Sequence, residues 1–267
     1  MWRWREEDAL VRHAMADPAS TGRAVVPPEQ PLRVRGTKLG TTVVHQIVHD
    51  IVGGFYPQGS ALPPEGDLCN RFAVSRTVVR ESLKIVQEKG LVHIEHGRGT
   101  QVADSKQWNL LDDVVLTAIV AHDANLSFLD ELVATRAALE ADMAAGAAGL
   151  HTATDDERIR EALVAMRSKV GILPDFGEAD VYFHDVVMAA SGNRLGRAIV
   201  NSIHGKARQN MRYTGEYSEA IMLRTVDEHQ VIHDAILAGD AQSASAAMRA
   251  HILGSWRRRR PATEAHR

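Results

Sequence analysis

The sequence predicts a mainly α-helical protein, in which a small helical unit closed by a β-hairpin is followed by an all-α body of six or seven helices. Three observations carry this prediction. Apolar residues recur at helical spacing from residue 38 onward, two short strand-like runs occur within residues 91–102, and no strand signal follows Trp108. The 267 residues are 45% hydrophobic, which suffices for packed cores and, by length, suggests one large or two modest domains.

The composition excludes several classes of protein. The single cysteine, Cys69, excludes a disulfide scaffold and a cysteine-based zinc module. No apolar run approaches the roughly 18 residues that a membrane span needs. The charged start, MWRWREEDALVRH, lacks the apolar centre of a signal peptide. We therefore expect a cytoplasmic protein with no membrane partner.

Charge is distributed unevenly along the chain. Residues 32–104 carry nine Lys and Arg against seven Asp and Glu, whereas residues 105–256 carry 13 against 21. A mildly basic unit before an acidic one is compatible with a nucleic-acid-binding head on a body that does not touch nucleic acid. Two terminal segments complete the predicted organisation: a flexible arm over residues 1–31 and a solvated basic tail over residues 257–267.

The first unit has the element order of a winged helix-turn-helix. A helix from Lys38 ends at Gly53-Gly54, a short second helix spans 65–72, and a third spans 76–89 after Ser75, which can cap it. Strands at 91–95 and 100–102 then flank a glycine-rich turn. The apolar stripe of the first helix consists of Leu39, Val43, Ile47 and Ile51.

Polar and basic residues gather where such a fold meets DNA. Arginine can bind guanine through two hydrogen bonds, and hydroxyls and free helix-start amides suit phosphates. The third helix begins with such groups, and glycine at the hairpin tip permits close approach of the backbone. The residues expected to contact DNA are Ser75, Arg76, Thr77, Arg80, His96, Gly97 and Arg98.

The segment GSALPPEGDLCNRFAVSRTVVRESLKIVQEKGLVHIEHGRGTQV resembles the GntR family of bacterial transcription regulators. The resemblance covers about 65 residues and implies DNA contact through the third helix and the wing. It departs from the family at Gly66, where some members carry a base-contacting arginine. That contact is therefore not expected here.

The second half reads as helices throughout, with a set of histidines at suggestive places. Asp180 and His184 share a helix face, and His229 and His251 lie on later helices. Three imidazoles and a carboxylate would suit a divalent metal, although His229 with His233 is a rival pair. The predicted helices are 108–122, 127–148, 155–169, 175–191, 194–212, 217–238 and 241–256.

The segments TRAALEADMAAGAA, ADVYFHDVVMAASGNRLG and DEHQVIHDAILAGDAQSASAAMRAHI resemble the FCD effector domain of the FadR-type GntR subfamily. This resemblance implies a divalent metal, zinc first with nickel or manganese as alternatives, held by Asp180, His184, His229 and His251. Members that bind fatty acyl-CoA lack this set, so a lipid effector is not expected. The acidic residue common two positions before Arg136 is Ala134 here, so the hydrogen bonding of Arg136 is expected to differ.

A small carboxylate is the expected effector. Guanidinium groups pair bidentately with carboxylates, and Arg136, Arg208 and Arg212 are the candidates. The linker residues Trp108-Asn109 and Leu111-Asp112 resemble those of regulators of sugar-acid catabolism, such as galactonate utilisation.

The sequence thus favours a homodimeric repressor that reads an inverted-repeat operator and is released by a sugar acid. A metal-sensing regulator is the alternative. A metalloenzyme acting on a small acid is disfavoured, because neither an HExxH pairing nor a nucleophile with its base is present; no catalytic residue is predicted.

Overall fold

The computed structural model describes residues 34–95, 99–209, 213 and 218–261, with side chains from residue 39 onward. The predicted arm at 1–31 lies outside the described residues. Within them the chain is mainly helical, with one two-stranded sheet, which confirms the predicted fold class. No helix in the described part is long and apolar enough to cross a membrane.

The head consists of α1 (Val34–Val52), α2 (Glu65–Phe72), α3 (Arg76–Glu88) and a hairpin of β1 (Val92–Glu95) and β2 (Gly99–Val102). The strands are antiparallel, with Val92 opposite Val102 and Glu95 opposite Gly99. This arrangement confirms the winged helix-turn-helix order.

The apolar stripe of α1 packs into the core of the head as its spacing predicts. Val43, Ile47 and Ile51 are buried there against Leu68 of α2 and Leu83 of α3. Leu39, the first residue of the predicted stripe, is exposed. Burial of such aliphatic side chains stabilises a fold by about 1.5–3 kcal/mol each.

The third helix ends at a glycine for two reasons. Gly90 has a φ of 80°, in the left-handed region that favours glycine. A Cβ placed on Gly90 would also lie 2.1 Å from the carbonyl oxygen of Gln107, in the short 3-10 helix Ser105–Gln107. Glycine here lets the chain after the hairpin pack closely against the end of α3.

Helix α4 (Asp113–His122) belongs to two apolar cores. Its Val115 and Ala118 are buried in the core of the head, whereas Leu116 and Val120 are buried in the core of the body formed by the later helices. Asp112 caps α4 by accepting from two of its backbone amides, and it also binds Lys89 Nζ at 2.6 Å.

The body is an antiparallel helical assembly that fits the predicted bundle. Its longest helix, α5, packs extensively against the last helix, α10, and α6 packs against α7. Its members are α5 (Ser127–Leu150), α6 (Ala153–Ser168), α7 (Leu173–Ala190), α8 (Arg194–Ala207), α9 (Glu219–Leu237) and α10 (Ala241–Arg259).

The C-terminal arginines correct the prediction of a solvated tail from residue 257. Helix α10 continues to Arg259, and the residues around its end are bound to the body. Arg258 Nη2 binds Glu228 Oε2 at 2.8 Å, and Arg260 Nη2 binds Asp130 Oδ2 at 2.9 Å. These ion pairs with acidic residues of α5 and α9 extend the helix beyond the apolar pattern that ends at Trp256.

Candidate functional site

Helices α7, α9 and α10 bring four potential metal ligands together inside the body. Asp180, His184, His229 and His251 each offer one donor atom, and these atoms lie within 4.8 Å of one another. Nε2 of His229 lies 3.2 Å from Nε2 of His184 and 3.7 Å from Oδ1 of Asp180. The three imidazoles are buried and Asp180 is half-buried. Among the described residues, this is the one group of three or more such ligands.

Two glutamates orient two of the three imidazoles of this cluster. Nδ1 of His184 donates to Glu140 Oε2 at 2.6 Å, and Nδ1 of His251 donates to Glu228 Oε2 at 2.9 Å. A proton on Nδ1 leaves Nε2 with its lone pair, which then faces the centre of the cluster. Metal-bound histidines in proteins usually carry such a carboxylate on the other nitrogen.

The surroundings of His229 and His251 favour the neutral form of these two imidazoles. Burial lowers the pKa of His229 well below its usual value, and the neighbouring His251 and His184 lower it further. Burial also lowers the pKa of His251, although its hydrogen bond to Glu228 opposes this. Metals bind unprotonated histidine, so the cluster suits a metal at neutral pH.

Glu140 also neutralises a buried arginine. Its Oε1 accepts from Arg136 Nε at 2.7 Å, and Arg136 Nη1 donates to the hydroxyl of Tyr213 at 2.6 Å. Burial alone would raise the pKa of Glu140, but Arg136 and His184 lower it overall. Ala134, two residues before Arg136, is exposed. The carboxylate that pairs with Arg136 is instead that of Glu140, four residues after it on α5.

A cavity of about 300 Å³ lies beside the cluster. Asp180, His184 and His251 line it, together with three arginines, Arg136, Arg208 and Arg259. Among the described residues, no carboxylate pairs with Arg208. Arg259 lies over the ring of Tyr213, with its Cζ 5.7 Å from the ring centroid.

Ionisable groups of both signs line the cavity. His204 lines it in the neutral form, because burial lowers its pKa well below the usual value and the charge of Arg136 adds to this effect. Arg136 also reaches the wall but is neutralised by Glu140. Among the groups of the wall, the guanidinium of Arg208 can bind a carboxylate ligand through two hydrogen bonds.

The remaining predicted residues of the body lie elsewhere. Arg212, the third effector candidate, is outside the described residues. His233, the rival partner of His229, is buried apart from the cluster and lines a groove between α6 and α9.

The start of α3 presents polar and basic groups to solvent. Ser75 caps the helix, with its hydroxyl accepting from the amide of Val78. Arg76, Thr77 and Arg80 are exposed, and the two arginines stand one turn apart. The predicted wing residues His96, Gly97 and Arg98 lie outside the described residues.

Arg80 is held by the neighbouring helix. Its Nε donates to both oxygens of Glu65, at 2.9 and 2.8 Å, and its side chain remains 62% exposed. Glu65 begins α2, so this ion pair joins the two helices of the helix-turn-helix. It also orients the guanidinium of Arg80 on the exposed side of α3.

Sequence reasoning missed the residues that support the metal ligands. Glu140 lies four residues after Arg136, a spacing that signals an ion pair on a helix. Glu228 immediately precedes His229, and its role became visible only when α9 and α10 were placed side by side. Arg259 was assigned to a solvated tail, and no sequence signal placed it at the cavity.

Comparison with known proteins identifies two domains. Residues 39–102 match the family model "Bacterial regulatory proteins, gntR family", and residues 131–254 match the FCD domain. The Escherichia coli galactonate operon transcriptional repressor is 33% identical over 217 residues, which are 81% of this chain and 93% of that protein. Bacillus subtilis LutR, an HTH-type transcriptional regulator, is 31% identical over 76% of this chain and 92% of its own length.

Structural similarity supports the fold alone. The solved structure of Lar, which controls the expression of the Listeria monocytogenes agr system, superposes with a TM-score of 0.51 at 17% identity. It covers 81% of this chain and 94% of its own. The matched domains and these relatives are transcription regulators and not enzymes. The chain therefore belongs to the GntR family of transcription regulators, with an FCD domain after its winged helix-turn-helix.

Proposed function

We propose that this regulator is a repressor, whose FCD domain holds a divalent metal and releases the operator when a small carboxylate binds at that metal. The observation that carries the proposal is the cluster of three buried imidazoles and a carboxylate, Asp180, His184, His229 and His251, beside a cavity with Arg208 in its wall. Zinc fits this nitrogen and oxygen set best, and nickel or manganese remain the alternatives.

The size of the cavity and the guanidinium of Arg208 in its wall favour a small acid as effector. About 300 Å³ is the lower end of the range for small-molecule sites, too little for a fatty acyl-CoA. A metal would attract one end of a 2-hydroxy acid, and Arg208 can bind a carboxylate through two hydrogen bonds. A sugar acid meets both requirements, and the similarity to a galactonate operon repressor points to the same class.

The proposed dimer would read DNA through two copies of α3. An inverted-repeat operator matches the twofold symmetry of a homodimer. Arg76 and Arg80 are the base-reading candidates, and Ser75 and Thr77 the phosphate-binding ones. The predicted wing contacts would add His96, Gly97 and Arg98.

Helix α4 offers a physical route from the cavity to DNA. Helix α8 carries Arg208 just beyond its end and also Lys206, whose Nζ binds Asp113 Oδ2 at 3.0 Å at the start of α4. The preceding residue, Asp112, binds Lys89 at the end of α3. An effector that moves α8 therefore acts on a helix that is bound to α3. It would shift the population of head arrangements that fit the operator.

A mobility shift on DNA flanking the gene tests the proposal. Metal-loaded protein should retard the DNA at low salt, and retardation should weaken steeply as salt rises. Sugar acids should release the DNA. If no band is retarded at low salt, DNA binding at this locus is refuted. If chelator abolishes retardation while acids have no effect, the metal is the signal and the carboxylate proposal is wrong.

A further inference from the structure

Two histidines outside the cluster of the body lie in contact where the ends of α1 and α4 meet. Nδ1 of His49 lies 3.4 Å from Nε2 of His122, and the two ring centroids are 5.5 Å apart. His49 belongs to the head, and His122 ends the helix that the head shares with the body. The two rings therefore join elements that are 73 residues apart.

The separation of the two nitrogens suits a shared metal ion. Hydrogen bonds from ring N–H groups have donor–acceptor distances mostly near ~2.9–3.0 Å, so 3.4 Å is long for a direct bond. Two nitrogens bound to one tetrahedral zinc at ~2.0–2.1 Å stand about 3.3–3.4 Å apart. The observed distance is therefore that of one edge of a zinc tetrahedron.

The local chemistry leaves His49 in the form that binds metals. Burial lowers the pKa of His49, and the nearby His122 and His45 lower it further, whereas Asp50 opposes them. Space for the second ring comes from Gly53, because a Cβ there would lie 2.6 Å from Cε1 and 3.0 Å from Nε2 of His122.

A cavity borders the ring of one of the two histidines. His122 lines this cavity together with Ser105, Asp123 and Glu131, on the side of α4 that faces the start of α5. Water molecules in the cavity can complete a coordination shell that two imidazoles begin. Glu131 is exposed in the wall of the same cavity and adds a negative charge to it.

We propose that His49 and His122 form a second divalent-metal site, which clips the end of α1 to the end of α4. This inference does not rest on the proposed function, because it uses none of the residues of the cluster in the body. Two protein ligands bind a metal more weakly than four, so the clip fills only at higher metal concentration. When filled, it ties the head more firmly to α4.

Metal stoichiometry of the full chain tests the clip. Metal-free protein is dialysed against increasing zinc, and bound zinc is counted. The wild type should take up one tight and one weaker ion per chain, and His122→Asn should lose the weaker one. His45→Asn, one turn earlier on α1, is the matched control and should keep both.

Two further variants separate this proposal from the first. Gly53→Ala keeps both imidazoles but displaces the ring of His122, and should weaken the second ion at least tenfold without loss of helical signal in circular dichroism. His184→Asn with His229→Asn should lose the tight ion and keep the weaker one. The clip is refuted if His122→Asn binds as many ions as the wild type does, whatever the cluster in the body binds.

Discussion

Glu140 is the position where one substitution tests both the stability of the body and the metal cluster. Its side chain is fully buried and holds two groups at once, Arg136 through Oε1 and His184 through Oε2. Glu140→Gln keeps the volume and removes the charge. Any effect therefore reports electrostatics and hydrogen bonding and not a cavity.

Two magnitudes follow from these contacts. Removal of one partner of a buried ion pair costs about 3–5 kcal/mol, because the guanidinium of Arg136 is left without a counter-charge. Loss of a carboxylate behind a metal-bound histidine lowers metal affinity about 10–100-fold. That range corresponds to about 1.4–2.7 kcal/mol of binding free energy.

The assays are urea unfolding of the metal-free chain and zinc titration against a chromophoric chelator. Glu228→Gln, at the half-exposed partner of His251, should weaken zinc in the same way with a smaller loss of stability. Glu157→Gln, in an exposed ion pair with Arg160, should change neither measurement. Unchanged zinc affinity in Glu140→Gln would refute the role assigned to that carboxylate.

Three other predictions concern pH, DNA and the effector. Burial holds the pKa of His229 below that of an unfolded histidine, near 6.5, so the unfolded state binds more protons below that pH. Urea unfolding of the metal-free chain should therefore show stability falling as pH drops below about 6.5, and His229→Phe should flatten this dependence. Arg76→Ala should weaken operator binding by about 1–3 kcal/mol in a mobility shift, whereas Arg158→Ala, exposed on α6, should not; equal affinities would contradict the DNA-binding surface. Arg208→Ala should weaken sugar-acid binding about tenfold to a hundredfold in calorimetry while zinc affinity stays constant, since one charge-assisted contact is lost; unchanged acid affinity would show that the carboxylate binds elsewhere.

Local signals predicted the head well because they are strong there. The second helix was predicted at 65–72 because prolines precede it and Leu68 and Phe72 are spaced four apart. The structure has the same bounds, and the helix ends at Ala73, which has a φ of 52°. The linker helix was predicted from residue 108 but begins at Asp113. Asp112 is the reason, since it caps the helix, and the residues before it form a 3-10 turn against Gly90 instead.

The ligand cluster could be predicted only in part. Spacing placed Asp180 and His184 on one face, but His229 and His251 joined them through family resemblance and not through periodicity. No local pattern shows which carboxylate stands behind which imidazole, because Glu140 and His184 lie 44 residues apart. Arg259 was missed for the same reason, since its place depends on how the end of α10 meets Tyr213.

Because α4 contributes residues to both apolar cores, it limits where the chain can be cut into separate domains. The two matched domains end at residue 102 and begin at residue 131, so a fragment cut at either limit omits α4. A DNA-binding fragment without it would leave the surfaces that cover Val115 and Ala118 facing water, and a fragment of the body alone would do the same around Leu116 and Val120. A fragment of either the head or the body should therefore include residues 113–122, because both cores need this helix.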